Sequence, residues 1–263
     1  MEYLKVHNTG TDLDVANVRK YMGSIKEDYE IYEGIITKSL KLGCDAKTVN
    51  KAIPGLIEQW EVQLGSAFNK LKLRDGEWFS LSQKMNGNRA SYYKGELISR
   101  QGKIFTGMNH IIHELETIDP DMFYDGELIR KNIDGLSDGE NFRIGTGIIN
   151  SDAVAKPVIF DMFPADELSC GKSSKRYRDR KKKLQELQEK ISEQKLENTE
   201  VVTMVYEGTD QSKIMEHLDE ATNLGWEGLM LNKNTVYECK RTLGLIKIKK
   251  FYTMDLQIIE VLE

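Results

Sequence analysis

The sequence predicts an α+β protein built on twisted antiparallel sheets that are flanked by helices. Three observations support this fold class. The first part of the 263-residue chain has helical periodicity, the stretch after residue 76 alternates apolar and polar residues in short runs, and later helices and strands mix without a regular βαβ repeat. An apolar fraction of 40% is enough to form a sizeable core.

A small helical leader is predicted at the start of the chain. Apolar residues recur there at helical spacing, for example Val15 and Val18 in one stretch and Tyr32 and Ile35 in the next. We therefore assign residues 1–64 to this leader.

The strand region begins after the Asp-Gly turn signal in "KLRDGEW". Four alternating runs follow, which are predicted to be successive antiparallel strands joined by turns that contain glycine: "FSLSQKM", "RASYYKG", "ELISRQG" and "KIFTG".

Helices and strands are then predicted in turn as far as residue 251. The helical segments are "MNHIIHELETI", "KRYRDRKKKLQELQEKISEQK" and "DQSKIMEHLDEATNL", the last with Asp210 as its N-cap. The strand segments are "MFYDGELIRK", "AVAKPVIFDMFP", "VVTMVYEGTD", "GWEGLMLNK" and "LGLIKIKKF".

Composition limits the classes of partner and compartment. The chain has 37 Lys and Arg against 42 Asp and Glu, so contact with an anionic partner requires a local basic patch. Cys44, Cys170 and Cys239 are odd in number and far apart, which argues against a zinc site or a disulfide framework and favours a reducing, cytoplasmic location. No membrane association or secretion is expected, because a long apolar run and a signal peptide are both missing.

Lys84, three residues before Gly87, is ambiguous by itself. A lysine in a strand usually faces solvent, but an ε-amine that is kept neutral by desolvation or by neighbouring cations can attack a phosphorus or carbonyl centre. Four later stretches bear on this choice: "YDGELI" with Asp125 and Glu127, "VIFDMF" with Phe160 and Asp161, "WEGLML" with Glu227, and "LIKIKK" with Lys247 and Lys249.

Together these stretches resemble the nucleotidyltransferase motifs of ATP-dependent polynucleotide ligases, whose first motif is K-x-D-G-x-R. That motif stands here as Lys84-Met85-Asn86-Gly87-Asn88-Arg89, and "SRQGK" with Arg100 matches a further arginine motif. The leader stretch "KTVNKAIPGLIEQWEVQLG" is similar to the first helical segment of bacteriophage-type ATP-dependent DNA ligases. The resemblance covers roughly residues 50–255 and implies an ATP-grasp-like nucleotidyltransferase fold for residues 65–250.

The resemblance also implies a role for each motif residue. Lys84 would attack the α-phosphate of ATP and carry AMP, while Lys247 and Lys249 would favour its neutral form and bind phosphate oxygens. Glu127 would accept hydrogen bonds from the ribose hydroxyl, and Phe160 would stack on adenine. Arg89 and Arg100 would lie near the ribose and the phosphates. Glu227 would help to hold Mg²⁺ or Mn²⁺.

Each of these residues also has a purely structural interpretation. Phe160 can be core packing, and the arginines can form surface salt bridges. The two carboxylates can be ordinary strand-end residues, and Lys247 and Lys249 can belong to a lysine-rich edge strand.

The basic run that starts at Lys175 has two interpretations. It is either the solvated start of a helix or a patch that contacts a nucleic-acid backbone without regard to sequence. The residues predicted to bind nucleic acid, together with Arg100, are Lys175, Arg176, Arg178, Arg180 and Lys181.

Two features depart from the ligase pattern. Asn86 stands where the motif has aspartate, and an amide cannot carry the negative charge of a carboxylate. This residue fits a branch that tolerates Asn, an inactivating substitution, or a naturally weakened enzyme. Only 14 residues follow Lys249, so we expect residues 251–263 to begin a truncated OB-fold domain and the chain to be an isolated adenylation domain.

The function predicted from these observations is that of an ATP-dependent DNA ligase of phage or prophage type, a monomer acting on nicked double-stranded DNA. Three alternatives stay open: an RNA ligase, a capping guanylyltransferase that uses GTP, and a non-catalytic nucleic-acid-binding module.

Overall fold

The computed structural model describes residues 11–37, 39, 41, 43–54, 56, 60–131, 134–136, 138–148 and 155–250. The chain divides into two compact units, residues 1–59 and residues 60–263. Residues 60–64, assigned from sequence to the leader, thus belong to the second unit, and Leu64 begins a strand. The predicted start of an OB-fold domain, 251–263, lies outside the described residues.

The first unit contains three described helices: α1 (Asp12–Ser24), α2 (Tyr29–Ile36) and α3 (Ala46–Ala52). Two of them begin at a capping side chain. Thr11 accepts a hydrogen bond from the Asp14 backbone N–H at 3.3 Å, and Asp45 accepts one from Thr48 at 2.7 Å. These contacts satisfy backbone donors that a helix leaves free at its first turn.

The second unit is built from strands and helices in alternating groups. Its strands are β1 (Leu64–Ala67), β2 (Phe79–Gln83), β3 (Asn88–Tyr93), β4 (Glu96–Ser99), β5 (Met122–Arg130), β6 (Ala155–Pro164), β7 (Lys172–Arg176), β8 (Glu200–Val201), β9 (Met204–Gly208), β10 (Leu229–Lys233), β11 (Val236–Glu238) and β12 (Arg241–Ile248). Its helices are α4 (Asn109–Ile118), α5 (Asp138–Ile148), α6 (Tyr177–Gln194) and α7 (Lys213–Asn223).

The strands form two five-stranded sheets and one two-stranded sheet. Their orders are β1-β12-β10-β2-β9, β4-β3-β5-β6-β8 and β11-β7. The α+β class is confirmed, but the sheets are mixed, because β1 pairs with β12 and β6 pairs with β8 in parallel.

Each large sheet buries one face against helices. The apolar residues of α6, such as Leu184 and Leu187, pack with α4 against the second sheet, and α7 packs through Ile214 and Leu218 against the first sheet. These spacings of three and four residues are the helical period from which the sequence predicted the helices. None of the described helices has the length and apolar character that a membrane span requires.

Three local predictions were wrong. "KIFTG" is not a strand, since only Ile104 forms an isolated bridge. "VVTMVYEGTD" is divided between β8 and β9, which belong to different sheets. Asp210 does not cap α7, because its carboxylate accepts from the backbone N–H and hydroxyl of Ser212 in the turn before the helix.

Strand β10 positions the motifs around Lys84, Glu227 and Lys247 by pairing with β2 on one side and β12 on the other. Met230 lies opposite both Ser82 and Lys247. The backbone N–H of Lys84 donates to the carbonyl of Gly228 at 3.0 Å, which extends this pairing to the end of β2. The end of β2, the start of β10 and the end of β12 therefore meet at one edge.

Gly228 is required where these strands meet. Its φ of +146° is unfavourable for L-residues, and a Cβ there would lie 2.2 Å from the Ile248 carbonyl oxygen. We expect Gly228→Ala to lower the free energy of unfolding by about 3 kcal/mol. Gly225→Ala is the matched control, because Gly225 also has positive φ (+77°) but faces open space, and it should cost about 1 kcal/mol. Urea denaturation measures both, and equal losses would contradict the close approach.

Candidate active site

A cavity of about 710 Å³ in the second unit is lined by residues of both large sheets. It brings together residues that are far apart in sequence and that sequence analysis assigned to a nucleotide. These are Lys84, Arg89, Arg100, Glu127, Phe160, Lys247 and Lys249. The predicted set is therefore a single spatial cluster.

Lys84 lies at the cavity in an ion-paired group. Its Nζ donates to Oε2 of Glu227, and the other carboxylate oxygen of Glu227 accepts from Lys249. Partial burial would raise the pKa of Glu227, but the hydrogen bonds from Lys249 and Lys84 outweigh it and lower that pKa below its ordinary value. Glu227 is thus an anion that holds two lysines side by side.

Asn86 stands outside the group that lines the cavity, although Lys84, Met85 and Gly87 belong to it. Its side chain is partly exposed, and none of the described residues forms a hydrogen bond with it. Gly87 allows the turn between β2 and β3 to pack on β5, because a Cβ there would lie 2.5 Å from the Leu128 carbonyl oxygen. The glycine of this motif is therefore a packing requirement.

Phe160 is directed to the cavity by an irregularity in β6. In the pairing with β5, Asp125 lies opposite Asp161 and Gly126 lies opposite Ile159, so Phe160 is an extra residue without a partner. Such a bulge re-aims a side chain that regular alternation would place elsewhere. Phe160 is only partly buried, and one side of its ring faces the Arg89 guanidinium, whose Cζ lies 4.7 Å from the ring centroid. The core-packing interpretation of Phe160 is therefore wrong.

Glu127 lies opposite Arg89 in the pairing of β3 with β5. Burial raises the pKa of its carboxyl to about 7, although the nearby charges of Arg89 and Lys84 act in the opposite direction. Glu127 is therefore poised between its protonated and ionised forms at neutral pH.

The cavity has a surplus of positive charge. Arg100, Lys103, Arg241 and Lys247 line it, and none forms an ion pair within the described part of the chain. Burial, with the neighbouring charges of Arg241, Lys84, Lys249 and Arg100, lowers the pKa of Lys247. Such a cavity attracts a polyanion.

The edge-strand interpretation of Lys247, which lies in β12, is excluded by the order of the sheet, and Lys249 lies just after the end of β12. Strand β12 lies between β1 and β10, so it is an interior strand.

The basic run separates into two groups. Lys175, Arg176 and Arg178 are exposed, and the Arg178 guanidinium lies 5.2 Å from the Trp78 ring centroid. Arg180 is 2% exposed and forms a fork with Asp161, with nitrogen-to-oxygen distances of 2.7 and 2.9 Å.

Lys181 is also buried and pairs with Glu207. The predicted contact of Arg180 and Lys181 with a nucleic-acid backbone is therefore wrong, because α6 turns both side chains into the protein. Arg180 holds the residue next to Phe160 instead.

Among the described residues, no group of three or more His, Cys, Asp or Glu side chains is arranged to hold a metal ion. Glu227, the predicted metal ligand, is engaged by the two lysines.

Several residues of the cavity were missed from sequence. Lys103 stood in the quoted "SRQGK" stretch, and Arg241 precedes the "LIKIKK" strand, so basic residues near known motifs were an available signal. Gln63 and Met230 also line the cavity and stood in the quoted stretches "KTVNKAIPGLIEQWEVQLG" and "WEGLML", whereas nothing in the local sequence of Tyr237 indicated that it does so.

The family model described as "ATP dependent DNA ligase domain" matches residues 62–249 of the chain. No match was found among curated protein sequences.

Several solved structures share the fold. The structure named Pmar-Lig_Pre has a TM-score of 0.67 and 22% identity over 83% of this chain and 54% of its own, so the chain spans about half of that protein's length. The ATP-dependent DNA ligase from bacteriophage T7 in complex with ATP has a TM-score of 0.57 and 14% identity over 72% of this chain and 68% of its own. The Chlorella virus DNA ligase-adenylate has a TM-score of 0.54 and 19% identity over 73% of this chain and 70% of its own. At these identities the likeness is one of fold.

The raised pKa of Glu127 predicts how stability depends on pH. The folded-state pKa of about 7 lies above the ordinary value of 4.5. The contribution of Glu127 to the free energy of unfolding is therefore fully present below pH 4.5 and is lost as the pH rises through 7. Glu127→Gln keeps the neutral form and should be more stable than the parent at pH 8 by about 1–3 kcal/mol, with little difference at pH 4.5. Urea denaturation across this range measures the difference, and a constant difference would contradict the shift.

Proposed function

This chain belongs to the ATP-dependent DNA ligase family, and we propose that residues 65–250 form an adenylation domain that transfers AMP from ATP to Lys84. The observation that carries this proposal is the cavity that Lys84 lines together with a partly exposed aromatic ring, Phe160, and with cations that have no ion pair among the described residues.

In the proposed reaction, the neutral amine of Lys84 attacks the α-phosphorus of ATP. A phosphorus–nitrogen bond forms, the bond from the α-phosphorus to the bridging oxygen breaks, and pyrophosphate leaves with that oxygen. Nζ passes its proton to water and gives up its hydrogen bond with Glu227, whose charge stays balanced by Lys249.

The other cavity residues would bind and orient the nucleotide. Lys247, Arg100 and Lys103 place positive charge where the phosphates carry negative charge. Adenine would stack on the face of Phe160 that Arg89 does not cover, and Glu127 would accept from a ribose hydroxyl.

A divalent cation, Mg²⁺ or Mn²⁺, fits this site only in the mode in which substrate phosphates supply most of the ligands. Magnesium is commonly held by one or two carboxylates together with phosphate oxygens and water. Glu227 would be its protein ligand in this mode, since the described residues contain no larger carboxylate cluster. The cation would neutralise phosphate charge.

We further propose that the substrate is nicked double-stranded DNA, that the chain acts as a monomer in the cytoplasm, and that it derives from a phage-type enzyme. The exposed residues Lys175, Arg176 and Arg178 would contact the DNA backbone. AMP would move from Lys84 to a 5′-phosphate, and a 3′-hydroxyl would then displace it.

Asn86 supports a second candidate, an RNA ligase or a weakened nucleic-acid-binding module. Its amide replaces the carboxylate of the motif and has no hydrogen bond to the described residues. Joining of nicked DNA compared with nicked RNA, by a version extended with an OB-fold domain, separates these candidates. Sealing of RNA alone would replace the DNA assignment.

The first functional prediction concerns Lys84 itself. Incubation with ATP and Mg²⁺, after pyrophosphate has removed any bound AMP, should add the mass of one AMP to the parent chain and none to Lys84→Ala. Lys233→Ala is the matched control and should still take up AMP. The side chains of Lys84 and Lys233 are 16% and 14% exposed, and each is paired with a glutamate, but Lys233 does not line the cavity.

Asn86→Asp in the same assay separates the interpretations of the asparagine. An adduct on both the parent and Asn86→Asp identifies a tolerated variant. An adduct on Asn86→Asp alone identifies a silenced site, and no adduct on either one contradicts the proposed adenylation by this chain.

The second functional prediction concerns the exposed basic group. Replacement of Lys175, Arg176 and Arg178 by alanine should weaken binding to nicked DNA. It should also reduce the steepness of the plot of log K against the logarithm of salt concentration by about one for each lost phosphate contact. The control replaces Lys183, Lys190 and Lys213, which changes the net charge equally. Equal weakening by both triple variants would show a general charge effect and contradict a specific patch.

A further inference from the structure

The Arg89 guanidinium is held by more contacts than one ion pair. Its Nε donates to Oδ1 of Asp125 at 2.6 Å. Its Nη2 donates to Oδ2 of Asp125, to the carbonyl of Gln63 at 3.1 Å and to the hydroxyl of Tyr237 at 3.5 Å. Its Cζ lies 4.7 Å from the centroid of the Phe160 ring. Only Nη1 has no hydrogen-bond partner among the described residues, so its donors are available at the cavity.

Tyr237 connects the two residues that hold Arg89. Its hydroxyl donates to Oδ2 of Asp125 at 2.5 Å and accepts from the backbone N–H of Gln63 at 2.9 Å. Asp125 is fully buried and accepts a further hydrogen bond from Ser91 at 3.0 Å. One hydroxyl thus fixes the spacing between the carboxylate and the carbonyl to which the guanidinium donates.

The hydroxyl of Tyr237 is itself fixed in place. The side chain is 1% exposed, and its ring packs against Phe163 and Phe123 with centroid distances of 4.9 and 6.0 Å. Its backbone N–H donates to Oγ of Ser173 at 2.9 Å. Burial and the charge of Asp125 raise the pKa of Tyr237, so the hydroxyl stays protonated and remains a donor.

We propose that Tyr237 is a positioning residue for the nucleotide reaction and that its hydroxyl, through Asp125 and through its own contact with Nη2, holds the guanidinium of Arg89 with Nη1 facing the ligand. A planar guanidinium that is fixed along one edge presents its remaining donors in one direction, which suits the oxygen of a phosphate or of a ribose hydroxyl. The inference rests on the proposed adenylation of Lys84.

The test removes the hydroxyl alone and asks whether the effect passes through Arg89. Tyr237→Phe should lower the single-turnover rate of AMP transfer at subsaturating ATP by about fivefold to tenfold, because a loosened guanidinium binds the ligand less well. Tyr177→Phe is the matched control. Tyr177 is also buried, its hydroxyl has no hydrogen-bond partner in the described part of the chain, and it does not line the cavity, so this change should leave the rate within about twofold of the parent's.

A double-mutant cycle separates positioning from a general structural effect. Arg89→Lys keeps a cation beside Asp125 but cannot form the fork, so in that background Tyr237→Phe should change the rate by less than about twofold. The same fivefold to tenfold loss in both backgrounds, or no loss in the parent background, would overturn the positioning role while AMP transfer by the parent left the proposed function intact. Failure of the parent chain to transfer AMP would overturn the proposed function and, with it, this inference.

Discussion

The pairing of β10 with both β2 and β12 is the constraint on which the site depends. It places the end of β2, which precedes Lys84, beside the start of β10, which follows Glu227, and beside the end of β12, which precedes Lys249. Glu227 then bridges two lysines that come from opposite ends of the domain sequence. The cluster exists only when these three strands are correctly paired.

The electrostatics of the cavity follow from a division between paired and unpaired charges. Arg180 is neutralised by Asp161, Arg89 by Asp125, and Lys84 and Lys249 share Glu227, so these charges serve to fix geometry. Buried ions are tolerated when they are paired and hydrogen-bonded. Arg100, Lys103, Arg241 and Lys247 have no such partner among the described residues, and they supply the field that a polyanionic ligand would meet. The paired side chains thus hold the site in shape, and a different set of side chains attracts the ligand.

Sequence reasoning predicted the elements with strong periodicity and the residues that stand in recognisable motifs. The helix α6 and strands β5 and β6 were found because their apolar spacing is set by local geometry. The local sequence of "KIFTG" gave no indication that this segment would form only an isolated bridge at Ile104 and not a strand. Strand partners, and hence the parallel edges of both sheets, are non-local properties that a local pattern does not encode.

The same distinction applies to the site. Lys84 and Glu227 were identified by their motifs, whereas the bulge that turns Phe160 towards the cavity depends on the register between β5 and β6. Arg180 was misassigned because charge is visible in a sequence and burial is not. Tyr237 was missed for the opposite reason, since a buried tyrosine among aromatic residues resembles plain core until its hydroxyl is seen between Gln63 and Asp125.

The central claim is that Lys84 is the nucleophile of the cavity, and peptide fragmentation of the chain after reaction with ATP tests it most directly. The account predicts that the mass of AMP lies on Lys84 and that the peptides containing Lys247 and Lys249 are unmodified. AMP located on either of those two lysines, which line the same cavity, would contradict the account.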